Sequence, residues 1–194
     1  MSIELIVGLG NPGSRYAGTR HNMGYRVADV LAGRHNADPW ARARLSNVTS
    51  TQFDPRLLLA KPTTFMNRSG HAVRWLLGHL DLNPEEILVV LDDVDLDLGS
   101  LRLRPSGGPG THNGMRHICQ LIGTEFPRLR LGVRGTESLD DLAEYVLSPF
   151  PSDEVPRAAD LVQRAADAAE TAVRAGVERA MSDFNRLSTE LEVD

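Results

Sequence analysis

The chain has 194 residues, 41% of them apolar and 24% charged, with a formal net charge of −5. That length suits one domain burying about 70% of its unfolded surface, and the composition argues against disorder. Cys119, the single cysteine, excludes a disulfide framework and a multi-cysteine zinc site, no apolar run reaches the ~18 residues of a membrane span, and the overall charge argues against nucleic acid.

The N-terminal stretch Met1 to Gly13 has no basic leader and reads as a first strand rather than a signal peptide. The expectation is a soluble, cytoplasmic protein folded as one domain over 1–194. Ile3 to Val7 is a short apolar run ending in glycines, hence a buried strand. Val27, Val30 and Leu31 mark a helix over Gly24 to Leu31. Leu45 to Gln52 alternates weakly, as an edge strand does, and Leu57 to Ala60 is a further strand stopped by Pro62. Val73, Leu76, Leu77 and Leu80 share one face of a helix over Ser69 to Leu80. Asn83-Pro84-Glu85-Glu86 reads as a cap, an N1 proline and an acidic first turn. Ile87 to Leu91 is the most apolar run and is expected to be the central strand. Leu101 to Arg104 and Leu129 to Val133 are strands. Between them Met115, Ile118, Cys119 and Ile122 recur at helical spacing, closed by Gly123. Ser138 to Leu147, Ser152 to Ala175 and Val177 to Leu187 complete the set as helices. Alternating strands and helices give an α/β class with a mostly parallel or mixed sheet. Ligands of such sheets sit beyond the carboxyl ends of strands, here after Val7, Ala60, Leu91 and Arg104.

Several motifs fall at those places. Gly8-Leu9-Gly10-Asn11-Pro12-Gly13 matches the spacing of a dinucleotide loop. A proline interrupts it, no apolar helix follows at once, and Asp29 lies inside a helical pattern. A tight turn, or a turn presenting the Asn11 amide, fits as well. His21 sits in the polar Arg20-His21-Asn22 stretch, and histidine suits a general base near neutral pH. Asn67 either caps the next helix or offers an amide to a site. Asp92, Asp93, Asp95 and Asp97 fail the calcium-loop pattern, because glycine falls one place late and position twelve is Arg104. A two-metal site, or one aspartate orienting a histidine, remains open. Pro105 to Gly114 is a glycine-rich loop leading into a helix, where backbone N–H groups receive anions. No nucleophile elbow occurs, and Cys119 belongs to the apolar helix face. The chemistry implied is water activated by a His–Asp pair, with amides holding a carbonyl.

Charge is unevenly spread. Residues 100–134 carry six arginines and one acid, net +5, whereas 1–99 are net −1 and 135–194 net −9. Of 21 basic residues only Lys61 is a lysine. Arginine suits bidentate phosphate contacts, although base composition of the genome gives the same bias.

Taken together, Gly8 to Gly13, Tyr16, Thr19 to Asn22, Lys61 to Gly70, Asp92 to Asp95, His112-Asn113-Gly114 and Arg128 to Gly132 resemble the bacterial peptidyl-tRNA hydrolase family over essentially the whole chain. The resemblance implies a twisted mixed sheet flanked by helices. It implies a monomer that needs no metal or cofactor, no membrane and no obligate protein partner, and whose partner is peptidyl-tRNA. The implied reaction is hydrolysis of the ester between a peptide and the 3′-terminal ribose. Residue by residue, His21 matches the family's base, Asp92 the carboxylate orienting it, and Asn11, Asn67 and Asn113 the amides that hold peptide and 3′ nucleotide. Asn113, or loop N–H groups, would stabilise the oxyanion. Tyr16 and Met66 match cleft walls, and Arg102, Arg104 and Arg130 the tRNA-phosphate contacts. Leu91, Asp93, Pro109, Thr111 and the short acidic stretch 135–141 depart from the family pattern. A non-catalytic RNA-binding module on the same fold, or a nucleotide-dependent Rossmann enzyme, are the alternatives.

Overall fold

The computed structural model describes residues 2–136 and 141–185. Its strands are β1 (Leu5–Gly8), β2 (Ala41–Ala43), β3 (Ser46–Ser50), β4 (Leu58–Pro62), β5 (Ile87–Asp97), β6 (Leu101–Arg104) and β7 (Arg128–Arg134). Its helices are α1 (Met23–Arg34), α2 (Ser69–Leu80), α3 (Asn113–Ile122), α4 (Leu142–Leu147), α5 (Val155–Ala175) and α6 (Val177–Phe184). The strands form one sheet in the order β2-β3-β4-β1-β5-β7-β6. β4, β1, β5 and β7 are mutually parallel, while β2–β3, β3–β4 and β6–β7 pair antiparallel. The sheet is therefore mixed, as expected.

Alternation along the central strands divides the core in two. Ile6, Leu88 and Val90 point to the face covered by α1, α5 and α6, while Leu5, Val7, Ile87, Val89 and Leu91 point to the face covered by α2 and α3. Both faces being buried explains why β1 and the first half of β5 read as unbroken apolar runs. Six buried alanines of α5 leave its helix free to pack closely on the neighbouring layer.

Some expectations need correction. β5 does not stop at Leu91. It continues through the carboxylates to Asp97, with Asp92 and Asp93 registered against Leu131 and Gly132 and a bulge following Asp93. Gly132 permits this, since a Cβ there would lie 2.1 Å from the Asp97 carbonyl oxygen. β6 runs antiparallel, with Arg104 opposite Arg128, so its carboxyl end lies at the opposite end of the strands from those of β1, β4 and β5. The glycine-rich loop must cross from that end of the sheet to bring α3 beside Asp92. β2 adds an unexpected outer strand, and α5 begins at Val155 rather than Ser152. In the segment expected as a helix over 138–147, α4 begins at Leu142, capped by Asp141 through Ala143 and Glu144 N–H groups at 2.9 and 3.1 Å. Residues 138–140, and the expected extension of α6 to 186 and 187, lie outside the described residues.

The Gly8-x-Gly10 turn is explained by close packing. A Cβ on Gly8 would stand 2.2 Å from the Gly24 carbonyl oxygen, and one on Gly24 would stand 2.3 Å from that of Val90. The start of α1 lies directly against β1 and β5.

Candidate active site

His21 sits on a 3₁₀ turn, Arg20–Asn22, that leads into α1. Its neighbours hold the turn rigidly. The Arg20 side chain is fully buried and donates to Ser148 Oγ (2.7 Å), the Pro149 carbonyl (2.9 Å) and Glu154 (3.0 Å), with its guanidinium 4.2 Å from the Tyr145 ring centre. Asn22 accepts from the Asn11 N–H at 2.8 Å and returns a bond to the Asn11 carbonyl at 3.0 Å. The β1 exit and the histidine turn are thereby locked together.

His21 Nδ1 lies 2.9 Å from each oxygen of Asp92, which is 1% exposed. Such a contact fixes the proton on Nδ1 and leaves the Nε2 lone pair for a base. A second imidazole shares the carboxylate. His112 Nε2 is 3.2 Å from Asp92 Oδ1, and its Nδ1 accepts from the Met115 N–H at 3.1 Å as the cap of α3. Because Nδ1 accepts, the His112 proton sits on Nε2 and is donated to Asp92. Burial alone would raise the Asp92 pKa, but the two imidazoles hold it well below the usual carboxylate range. Burial alone would lower the His21 pKa; the Asp92 charge and hydrogen bond outweigh it and raise the value.

The ligand atoms of His21, Asp92 and His112 lie within 4.8 Å of one another, the donor set of a two-histidine, one-carboxylate metal site. Their hydrogen bonds account for the spacing without an ion.

Two cavities of about 540 Å³ each meet at this point. Asn11, Tyr16, His21, Met66, Asn67 and Asn113 all line the first, together with the exposed Phe65 and Leu147. The Asn11 side-chain oxygen accepts from the Met66 N–H at 2.8 Å, which directs its NH₂ group to the cavity. Asn67 is exposed on the wall and does not cap α2, whose N-cap is Arg68. Asn113 opens α3 with its side-chain oxygen held by Arg116 at 2.7 Å, and it borders both cavities. The second cavity is lined by Asp92, Asp93, the 106–113 loop, Arg104 and Arg130. Arg130 is paired with Asp93, Arg104 is exposed, and Arg102 reaches the Asn185 carbonyl at 3.4 Å, lining neither cavity.

The site so built sets a His–Asp pair beside side-chain amides in an open cleft. A model of the family described as peptidyl-tRNA hydrolase matches residues 5–192. The chain belongs to the peptidyl-tRNA hydrolase family. A peptidyl-tRNA hydrolase of Chloroflexus aurantiacus is 48% identical over 187 residues, covering 94% of this chain and 99% of its own. One from Alkaliphilus metalliredigens is 42% identical over 191 residues, covering 93% and 98%. The crystal structure of peptidyl-tRNA hydrolase from Acinetobacter baumannii superposes with a TM-score of 0.89 at 35% identity, over 95% of each chain.

Sequence reasoning overlooked four contributors to this site. His112 was visible beside Asn113, but its bond to Asp92 depends on how the glycine-rich loop returns. Asn22 adjoins His21, and its bonding to Asn11 is set by the packing of α1. Arg20 is chemically indistinguishable from a surface arginine until its aromatic neighbours are known. Arg128 is 2% exposed and donates to the carbonyls of Gly107, Gly108 (3.2 Å) and Thr124 (2.8 Å), pinning the loop that carries His112.

Proposed function

We propose that the chain hydrolyses the ester joining a peptide, or an N-blocked aminoacyl group, to the 3′-terminal ribose of tRNA. His21 Nε2 takes a proton from a water molecule, and the oxygen of that water attacks the ester carbonyl. Asp92, acting on Nδ1, fixes the tautomer and stabilises the imidazolium. The Asn113 amide donates to the developing oxyanion, an interaction typically worth ~3 kcal/mol. Collapse breaks the acyl C–O bond, the imidazolium returns its proton to the ribose oxygen, and a free carboxylic acid and a tRNA 3′-hydroxyl leave. Asn11, Tyr16, Met66 and Asn67 hold the peptide and the terminal nucleotide, while Arg104, Arg130 and Arg102 meet phosphate.

The single observation that carries this reading is the His21–Asp92 contact opening on a cavity whose described lining includes no serine, threonine or cysteine. A base without a side-chain nucleophile calls for water and no acyl-enzyme. On this reading the chain works as a monomer, without a cofactor, in the cytoplasm where peptidyl-tRNA is released. No described helix is long and apolar enough to cross a membrane. The test is release of blocked amino acid from N-blocked aminoacyl-tRNA in the presence of chelator. His21→Ala is expected to abolish release while tRNA still binds; full activity in that variant overturns the scheme.

A further inference from the structure

The two helical layers differ in charge. α1, α5 and α6 carry equal numbers of acidic and basic side chains, six of each. The opposite layer, Met66–Arg68 with α2 and α3, carries Arg68, Arg74 and Arg116 with His71, His79 and His117, and no carboxylate. This is unexpected in a chain of net charge −5. The side chains are gathered as well as present. His71 and His117 meet edge to face at 4.7 Å across the α2–α3 seam, and the His117 Nδ1 accepts from the Gly70 N–H at 2.9 Å. Burial, the facing His71 and the charges of Arg68 and Arg74 all lower the His117 pKa.

Arg68, His71, Arg74 and His79 are exposed, and Trp75 stacks on His79 with ring centres 4.6 Å apart and planes 15° from parallel. Spacings of three and four residues put these side chains on one stripe. From Arg68 to His79 the stripe is about 16 Å long. It begins at the mouth of the His21 cavity, which Arg68 lines.

We infer that the α2 stripe, with the α3 residues beside it, is a second RNA-binding surface, receiving phosphates and an unpaired base of the tRNA whose 3′ end enters the His21 cavity. This rests on the hydrolase reading above. A polyanion gains from the three arginines, whose helical layer carries no carboxylate before Asp81 at the end of α2, and counterion release makes the gain depend on salt. The Trp75–His79 pair supplies a flat face of the kind on which bases stack. The surface is separate from Arg102, Arg104 and Arg130, which lie on β6 and β7 at one edge of the sheet.

The test uses the full chain with Arg74→Glu combined with His79→Glu, neither of which lines a cavity. Three readouts are taken across a salt series: Kd for deacylated tRNA, KM for N-blocked aminoacyl-tRNA, and turnover of an N-blocked aminoacyl ester of adenosine, which has no phosphate. The expected result is that Kd and KM for tRNA rise about ten-fold and the salt slope becomes shallower by about 1 per lost phosphate contact. Turnover of the adenosine ester stays at the wild-type level, and Arg74→Lys retains the wild-type slope. Unchanged tRNA affinity, or equal losses on both substrates, overturns the inference. If wild-type protein hydrolyses neither substrate yet its tRNA affinity depends on these residues, the hydrolase reading fails and the surface stands.

Discussion

At the scale of single residues, one carboxylate sets the behaviour of two imidazoles. His21 acts as a base only when neutral, and its pKa is raised above 6.5. Activity must therefore rise with pH along a limb centred above 6.5. Asp92→Asn removes the charge that raises the pKa and leaves the burial that lowers it. Its acid limb is expected below that of the wild type, with kcat reduced by at least about 100-fold through loss of the fixed tautomer. A pH profile of kcat/KM decides this; an unmoved limb would assign the titration to another group. His112 answers in the opposite direction. Replacing it with Asn keeps an N-cap for α3 but withdraws a proton donor from Asp92. The freed carboxylate then acts more strongly on His21, and the limb should move to higher pH with thermal stability little changed. The sequence pointed to His21, Asp92, Asn11, Asn67 and Asn113 through the polar segments that follow apolar runs and through the family resemblance, and the structure brings these residues around two adjoining cavities. The sequence could not disclose His112, Asn22 or Arg128, whose roles are contacts between segments far apart along the chain.

Among the elements, those specified by local periodicity were legible and those specified by pairing were not. α2 has the predicted bounds, Ser69–Leu80, because Val73, Leu76 and Leu77 form a stripe that only a helix buries. The sequence predicts that β5 ends at Leu91, because consecutive aspartates ordinarily end a strand. Here Asp92 accepts hydrogen bonds from two imidazoles, and Asp93 is paired with Arg130 and accepts from the Asp95 N–H at 2.9 Å. The antiparallel direction of β6 leaves no local trace, since Leu-Arg-Leu-Arg reads the same either way. The junction of β1, β5 and α1 gives the sharpest test at this scale. Gly24→Ala would place a methyl group 2.3 Å from the Val90 carbonyl oxygen and 2.4 Å from the Leu9 nitrogen, neither of which is a flexible side chain. Overpacking of this kind typically costs ~1–3 kcal/mol. Denaturant titration should show a lower midpoint at unchanged slope, and kcat should fall as well, because the start of α1 carries the His21 turn. A variant as stable as the wild type would mean that the helix can shift without cost.

For the molecule as a whole, the block of six arginines between residues 100 and 134 overstates the cationic surface. Arg128 is buried against loop carbonyls, Arg102 is drawn toward Asn185, and Arg130 is bound to Asp93. A phosphate reaching Arg130 must displace a carboxylate already in place. If Arg130 meets phosphate as proposed, Asp93 competes with the RNA, and its removal should strengthen binding. Asp93→Asn keeps an oxygen to accept from the Asp95 N–H, so the bulge after it has what it needs to persist. The guanidinium is released from its ion pair and becomes available for a charge-assisted bond to phosphate. At low ionic strength KM for N-blocked aminoacyl-tRNA is expected to fall several-fold. The plot of log KM against log salt should steepen by about 1, as one more phosphate is neutralised. A phosphate-free aminoacyl-adenosine ester reports any disturbance of the neighbouring Asp92 separately, since its KM responds to the cleft and not to the charge. Were KM for tRNA to rise in Asp93→Asn while that for the ester held steady, Arg130 would be a structural partner of β5 and not a phosphate ligand.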